Sequence, residues 1–174
     1  MIYSSRLIRT LKFLDSEYKK NLSSYDPQRS LLFAKLAVIE YCGWLELSFD
    51  EIARCGVRKK LRTGSSRDIL EQKISSTHGF SYQHHVRPLL AQSIGTIKLL
   101  QLEKEISKDG SLDILTSNLG SLKKQRREAA HTFVSGRTLK YNAPSVTINN
   151  FKKTEPIILE IWKWVQNSSS SPHI

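Results

Sequence analysis

Near the end of a helical run, LGSLKKQRREAAHTF (Leu119 to Phe133), Arg126 and Arg127 precede His131, with Lys123 and Lys124 one turn upstream. These are the chain's best candidates for chemistry. A neutral imidazole takes and returns a proton near neutral pH, and planar guanidinium groups hold phosphate oxygens through paired hydrogen bonds. Spacing alone says little: with eleven arginines and five histidines in the chain, about one match of this kind arises by accident. Position says more. At about 100° per residue, Leu119, Leu122, Ala129, Ala130 and Phe133 share an apolar stripe, and Arg126 stands inside it where a leucine would be expected. A guanidinium directed at a packed surface requires an anion, a buried partner or an intersubunit cleft to offset its desolvation. Arg126 and His131 lie about 140° apart on an ideal helix, Arg127 and His131 only about 40°. The division of labour between the two arginines is therefore open. The ordinary role for a histidine in the last turn is to complement the negative end of the helix dipole.

The elements that position these residues read as helices. Leu7, Leu11, Leu14, Tyr18 and Leu22 recur at helical spacing over the first ~20 residues, and Ser23 to Tyr25 break the run. Asp26-Pro27 then predicts a helix start, Asp as N-cap and Pro at the first helical position. The long apolar helix that follows runs to about Arg54, with Gly56 as its stop. It carries Ala34, Ala37, Val38, Tyr41, Trp44, Leu45 and Ile52, which make it the central helix. A short helix begins near Ser66 with Ile69, Leu70 and Ile74 inward, and Ser75 to Gln83 reads as a polar loop. Pro88 opens a helix carrying Leu89, Leu90, Ile94, Ile97 and Ile106 that ends at Gly110. The motif helix spans Leu112 to about Phe133, with Gly120 as a kink or break and Gly136 as a terminator. Arg137 to Asn150 reads as irregular or a short strand, and Glu155 to Gln166 as a final amphipathic helix. No strand alternation is strong enough to build a sheet, so the expectation is an all-α bundle. Residues 1–167 form one domain and 168–174 a frayed tail.

Composition narrows the partners. A net charge of +11 favours polyanions and speeds their capture without selecting a fold. The charge is clustered: Arg54, Arg58, Lys59, Lys60, Arg62 and Arg67 surround a short linker, and Lys123, Lys124, Arg126 and Arg127 flank His131. Two such patches suit a nucleic-acid backbone, and Arg58, Lys59, Lys60 and Arg62 are the expected RNA-binding set beside the motif. No apolar run approaches the ~20 residues that span a bilayer. The first residues lack the compact apolar region of a signal peptide. Cys42 and Cys55, roughly 20 Å apart along one helix, are beyond disulfide reach, which predicts thiols in a reducing, cytoplasmic setting. No Gly-rich phosphate loop or nucleophile elbow is present, and no cofactor is indicated. His78, His84 and His85 have no acid or cysteine nearby to complete a ligand set, so no metal site is expected there. They read as a polar loop at an RNA-facing surface.

The run Arg126, Arg127, Glu128, Ala129, Ala130, His131 resembles the signature of the HEPN superfamily: Arg, a polar residue, variable residues often including Ala, then His. The resemblance extends to Leu31–Leu47, with its mid-helix pair Glu40-Tyr41, and to Tyr141–Val165, a proline-containing loop leading into a last helix; Cys55 to Gln83 matches nothing. It implies an up-and-down bundle of about five to six helices that acts as a homodimer. It also implies a metal-independent endoribonuclease, of a kind often found as toxins or in defence against phage and often paired with an antitoxin or another defence-system protein. Arg126 and His131 would be catalytic, Arg127, Lys123 and Lys124 auxiliary phosphate contacts, and Glu40 a residue that orients an arginine. HEPN proteins usually carry a short polar residue where this chain has Arg127. Some HEPN toxins have a modifiable tyrosine two residues after the histidine; Phe133 here has no hydroxyl. Two rival readings use the same residues: a non-catalytic HEPN-like module that binds RNA or a protein, and a basic helical DNA-binding regulator, the latter weakened by the lack of a helix-turn-helix.

Overall fold

Local chemistry sets the first two helices. The computed structural model describes residues 2–24, 26–58, 64–131 and 141–168, and of Ser65, Ser66 and His131 the backbone alone. Lys59, Lys60, Arg62, Phe133 and Gly136 lie outside the described residues, as does the tail beyond Ser168. Helix α1 (Ser4–Ser23) buries Leu7, Leu11 and Leu14 and leaves Leu22 exposed. Helix α2 (Pro27–Val57) starts where expected: the Asp26 carboxylate accepts a hydrogen bond from the Arg29 amide at 3.0 Å, with Pro27 in the first turn.

The described residues form α3 (Gly64–Ser76), a π-helical turn (Tyr82–Val86), α4 (Arg87–Ile94), α5 (Thr96–Ile106), α6 (Ser111–His131) and α7 (Pro144–Ser168) after those two. All of the regular structure among them is helical. The seven α-helices exceed the five to six expected, in part because Gly95, at φ +89°, divides one expected helix into α4 and α5. Helix α2 touches α1, α3, α4, α6 and α7, and so occupies the centre. No helix among the described residues is long and apolar enough to cross a membrane.

Tertiary packing overrode several local signals. Gly56 does not stop α2 but lies inside it, where a Cβ would fall 2.3 Å from Ser93 Oγ and 2.6 Å from Ile94 Cγ2. It is a close-approach glycine that lets α4 seat on α2, and Ser93 Oγ donates to the Ala53 carbonyl at 2.6 Å across that contact. Helix α3 begins at Gly64, and Leu70 and Ile74 pack with Ala53, Val57 and Leu89, whereas Ile69 faces solvent. Of the aliphatic residues expected on the helix opened by Pro88, Ile97 is exposed and the others are buried. Helix α6 runs unbroken through Gly120.

The largest departure is α7, which begins at Pro144 rather than near Glu155, so residues 144–150 are helical and Pro156 is internal. An internal proline costs about 3 kcal/mol. Burial on the N-terminal half offsets it: Phe151 meets Trp44 edge-on at 5.1 Å between ring centroids and Tyr41 at 6.1 Å. Thr154, fully buried, donates to the Asn150 carbonyl and accepts from Asn118 of α6. Ser168 is the last residue of α7 and its carbonyl accepts from Lys98 Nζ at 2.6 Å, so the helix reaches one residue into the expected tail.

Candidate functional site

The C-terminal half of α6 packs its buried side through Leu119, Leu122 and Ala129. Lys123, Arg126, Arg127 and Ala130, at i, i+3, i+4 and i+7, share a neighbouring face. With His78, Gly79, Phe80, Ser81 and His85 they line a cleft of about 470 Å³. Ala130, expected in the core, is exposed here and belongs to this wall. Lys124 is exposed and does not line the cleft. His131 is the last residue of α6, one turn beyond Arg127, and its side chain lies outside the described atoms.

Arg126 has an internal partner. Its Nη1 approaches Glu46 Oε1 at 2.9 Å, and Nη2 donates to Oε2 at 3.3 Å. The guanidinium carbon also sits 5.8 Å from the centre of the Phe80 ring, a cation–π distance. Of the three ways to justify a guanidinium in an apolar stripe, the fold supplies an internal partner, a carboxylate that is itself 28% exposed. The Arg126 side chain nevertheless remains 38% exposed, and that exposed part opens on the cleft it lines. Glu40, expected to orient an arginine, is exposed; the carboxylate on Arg126 is Glu46, six residues further along α2 and so on another face. Beneath the pair, burial pushes the Cys42 thiol up to about 12, against the opposing pull of Arg126.

The segment expected to be a polar loop is instead anchored. Phe80, Tyr82 and Val86 are buried, and the Tyr82 hydroxyl donates to Glu103 Oε1 at 3.0 Å. Arg87 bonds the same carboxylate at 2.7 and 3.2 Å. Tyr82 and Arg87 are thereby fastened to α5, and the chain between them winds as a π turn. That turn carries His85 to the cleft. Its ring rests on Gly79, and burial, then Lys123 and His84, hold its pKa below the ordinary histidine value.

The second basic cluster is a different place. Arg58, exposed at the end of α2, lines a cleft of about 450 Å³ with Arg54, Arg67, Glu71, Cys55 and Trp162. Its charge is partly consumed, because Arg54 makes a two-armed bond to Glu71 at 2.9 and 2.9 Å. Nearby, burial first and then Glu46 and Glu71, against Arg54, raise Asp50 to about 6. Among the described residues no three His, Cys, Asp or Glu side chains are grouped to hold a metal ion. Compared with protein-family models, curated proteins and solved structures, the chain gives no match.

Proposed function

We propose that this protein is a metal-independent endoribonuclease of the HEPN kind, working as a homodimer and serving as a toxin or phage-defence effector. The observation that carries the reading is the row Lys123, Arg126 and Arg127 along one wall of an open cleft, with Arg126 braced by Glu46 and Phe80. A braced guanidinium is already aimed when the ligand arrives, which is what electrostatic stabilisation of a developing charge requires. Neutral His131 would remove the proton from a ribose 2′-hydroxyl, whose oxygen then attacks the adjacent phosphorus. Arg126, aided by Arg127, would stabilise the charge that gathers on the non-bridging oxygens. The His131 of the second subunit would deliver a proton to the departing 5′-oxygen, leaving a 2′,3′-cyclic phosphate and a 5′-hydroxyl. DNA lacks the attacking hydroxyl and would resist cleavage.

One finding favours a second reading. Because Glu46 satisfies Arg126 within the chain, the same cleft would serve a non-catalytic module that binds RNA or a partner protein. Incubating purified protein with total RNA in EDTA separates the two. The nuclease reading expects fragments with cyclic-phosphate ends, lost in His131→Ala; intact RNA, or undiminished cleavage by His131→Ala, refutes it. A strictly monomeric mass at micromolar concentration would remove the two-subunit step.

A further inference from the structure

We infer that His85 is a ligand-binding residue of the cleft, presenting a fixed, uncharged Nε2–H donor to a phosphate oxygen of single-stranded RNA. The ligand class rests on the nuclease reading; the donor itself rests on geometry. The Ser81 backbone amide donates to His85 Nδ1 at 3.2 Å. A backbone N–H is always a donor, so Nδ1 must carry a lone pair and the proton of the neutral ring sits on Nε2. The Ser81 carbonyl in turn accepts from the amides of His85 and Val86 at 2.8 and 3.2 Å, so backbone and ring grip each other in both directions. No residue among those described accepts a hydrogen bond from Nε2, while the ring lines the cleft with Lys123, Arg126 and Arg127.

Two features hold the ring there. Gly79 adopts φ +128°, and a Cβ on it would fall 3.0 Å from His85 Cε1 and 3.2 Å from Nδ1. Glycine satisfies both the left-handed backbone and the close approach. The π turn, of a kind often found at functional sites, sets the direction from which the ring arrives. A second proton would have to go on Nδ1, where the Ser81 amide opposes it. Lys123 and Arg126 on α6 and His84 on the same segment also disfavour a further cation, with Glu46 of α2 the countervailing charge; Arg127 and His78 line the same cleft. The cleft thus gains a hydrogen-bond donor without a fourth positive charge.

The test uses the full chain and a fluorescent, fully 2′-O-methylated single-stranded RNA of about ten nucleotides, which lacks the 2′-hydroxyl that cleavage consumes. His85→Ala should weaken binding by about 10- to 100-fold, the size of one hydrogen bond to a charged group. His85→Gln, whose amide retains an N–H donor, should stay within about 3-fold of the wild type. Nitrogen-15 NMR of the ring should show the Nε2–H tautomer in the free protein and a shift of that nitrogen on adding the RNA. Equal binding by wild type and His85→Ala, or an Nδ1–H tautomer, overturns the inference while RNA cleavage by the wild type leaves the nuclease reading intact. Wild-type protein that neither binds the probe nor cleaves RNA overturns both.

Discussion

Replacing the Arg126–Glu46 pair by an apolar pair, Arg126→Met with Glu46→Leu, separates what the guanidinium does for the fold from what it does for a ligand. The charged atoms lie 2.9 Å apart, and the side chains are 38% and 28% exposed, so the pair falls between the surface and buried limits. Exposed pairs couple by about 0–1 kcal/mol, whereas breaking a buried one costs about 3–5 kcal/mol. A coupling of about 1–2 kcal/mol follows for Arg126 and Glu46. Arg126→Met alone leaves a largely covered carboxylate without its cation and should cost about 1–2 kcal/mol. Glu46→Leu alone should cost less, because the guanidinium keeps Phe80 and reaches water. The double variant should return to within about 1 kcal/mol of the wild type, as apolar replacements of ion pairs commonly do. Urea unfolding of the four proteins closes the cycle, and the coupling should shrink in about 1 M salt. On the proposed nuclease reading, RNA cleavage by the double variant should fall by at least about 100-fold, the usual loss when a charge-stabilising donor is removed. A double variant destabilised by more than about 3 kcal/mol would refute the reasoning, because the fold alone would then explain Arg126. So would a double variant that cleaves as well as the wild type.

Gly56→Ala and Gly120→Ala should move stability in opposite directions. Gly120 has open space where its Cβ would be, so the better helix former adds about 0.5–1 kcal/mol, whereas at Gly56 overpacking against Ser93 and Ile94 should leave a net loss of about 1–3 kcal/mol by urea unfolding. Asp50→Asn should stabilise the protein at neutral pH and do nothing below pH 4. The folded-state pKa is raised to about 6 from 3.8, so the wild type binds the extra proton when folded and loses stability as pH rises through that window. After discounting for partial solvation the gain is about 1–2 kcal/mol, read as the pH dependence of the melting temperature, and a pH-independent difference would count against it. Native protein should react with a thiol reagent at Cys55, half-buried at the edge of a cleft, and not at buried Cys42, whose thiol is pushed up to about 12. Mass mapping that finds Cys42 labelled first in the folded protein would be the contrary result.

The legible parts of the fold were those with local causes. Asp26-Pro27 announced the start of α2 because an N-cap and a proline act within one turn, and the apolar stripes of α1 and α2 announced their buried faces. The misreadings share a different origin. A glycine that ends a helix and one that admits a neighbouring helix have the same sequence signal, and only the contact with Ser93 tells which Gly56 is. The start of α7 was misplaced at Glu155 because the burial of Phe151 and Thr154, which carries the helix on through Pro156, depends on residues far away in sequence.

At the candidate site, the anomaly of Arg126 was visible but its partner was not, since Glu46 stands eighty residues earlier. A usable clue was present. Glu46 follows buried Cys42 by one helical turn, so two opposite charges each interrupt an apolar stripe, one on α2 and one on α6. His85 was hidden for a further reason: Tyr82 and Val86, four residues apart, fit the helical and the strand period alike, so their spacing does not disclose the π turn that aims the ring.

A π turn holds one residue more than an α-helical turn needs. Deleting Gln83, itself exposed, would let the chain from Ser81 onward wind as ordinary helix. It would also rotate everything before the deletion by about 100° relative to everything after it, so the imidazole and the glycine beneath it would part company. That surplus residue behaves as a set screw: trivial in mass and composition, it fixes the bearing of the ring, and a family of one-residue insertions and deletions there would read out that bearing directly.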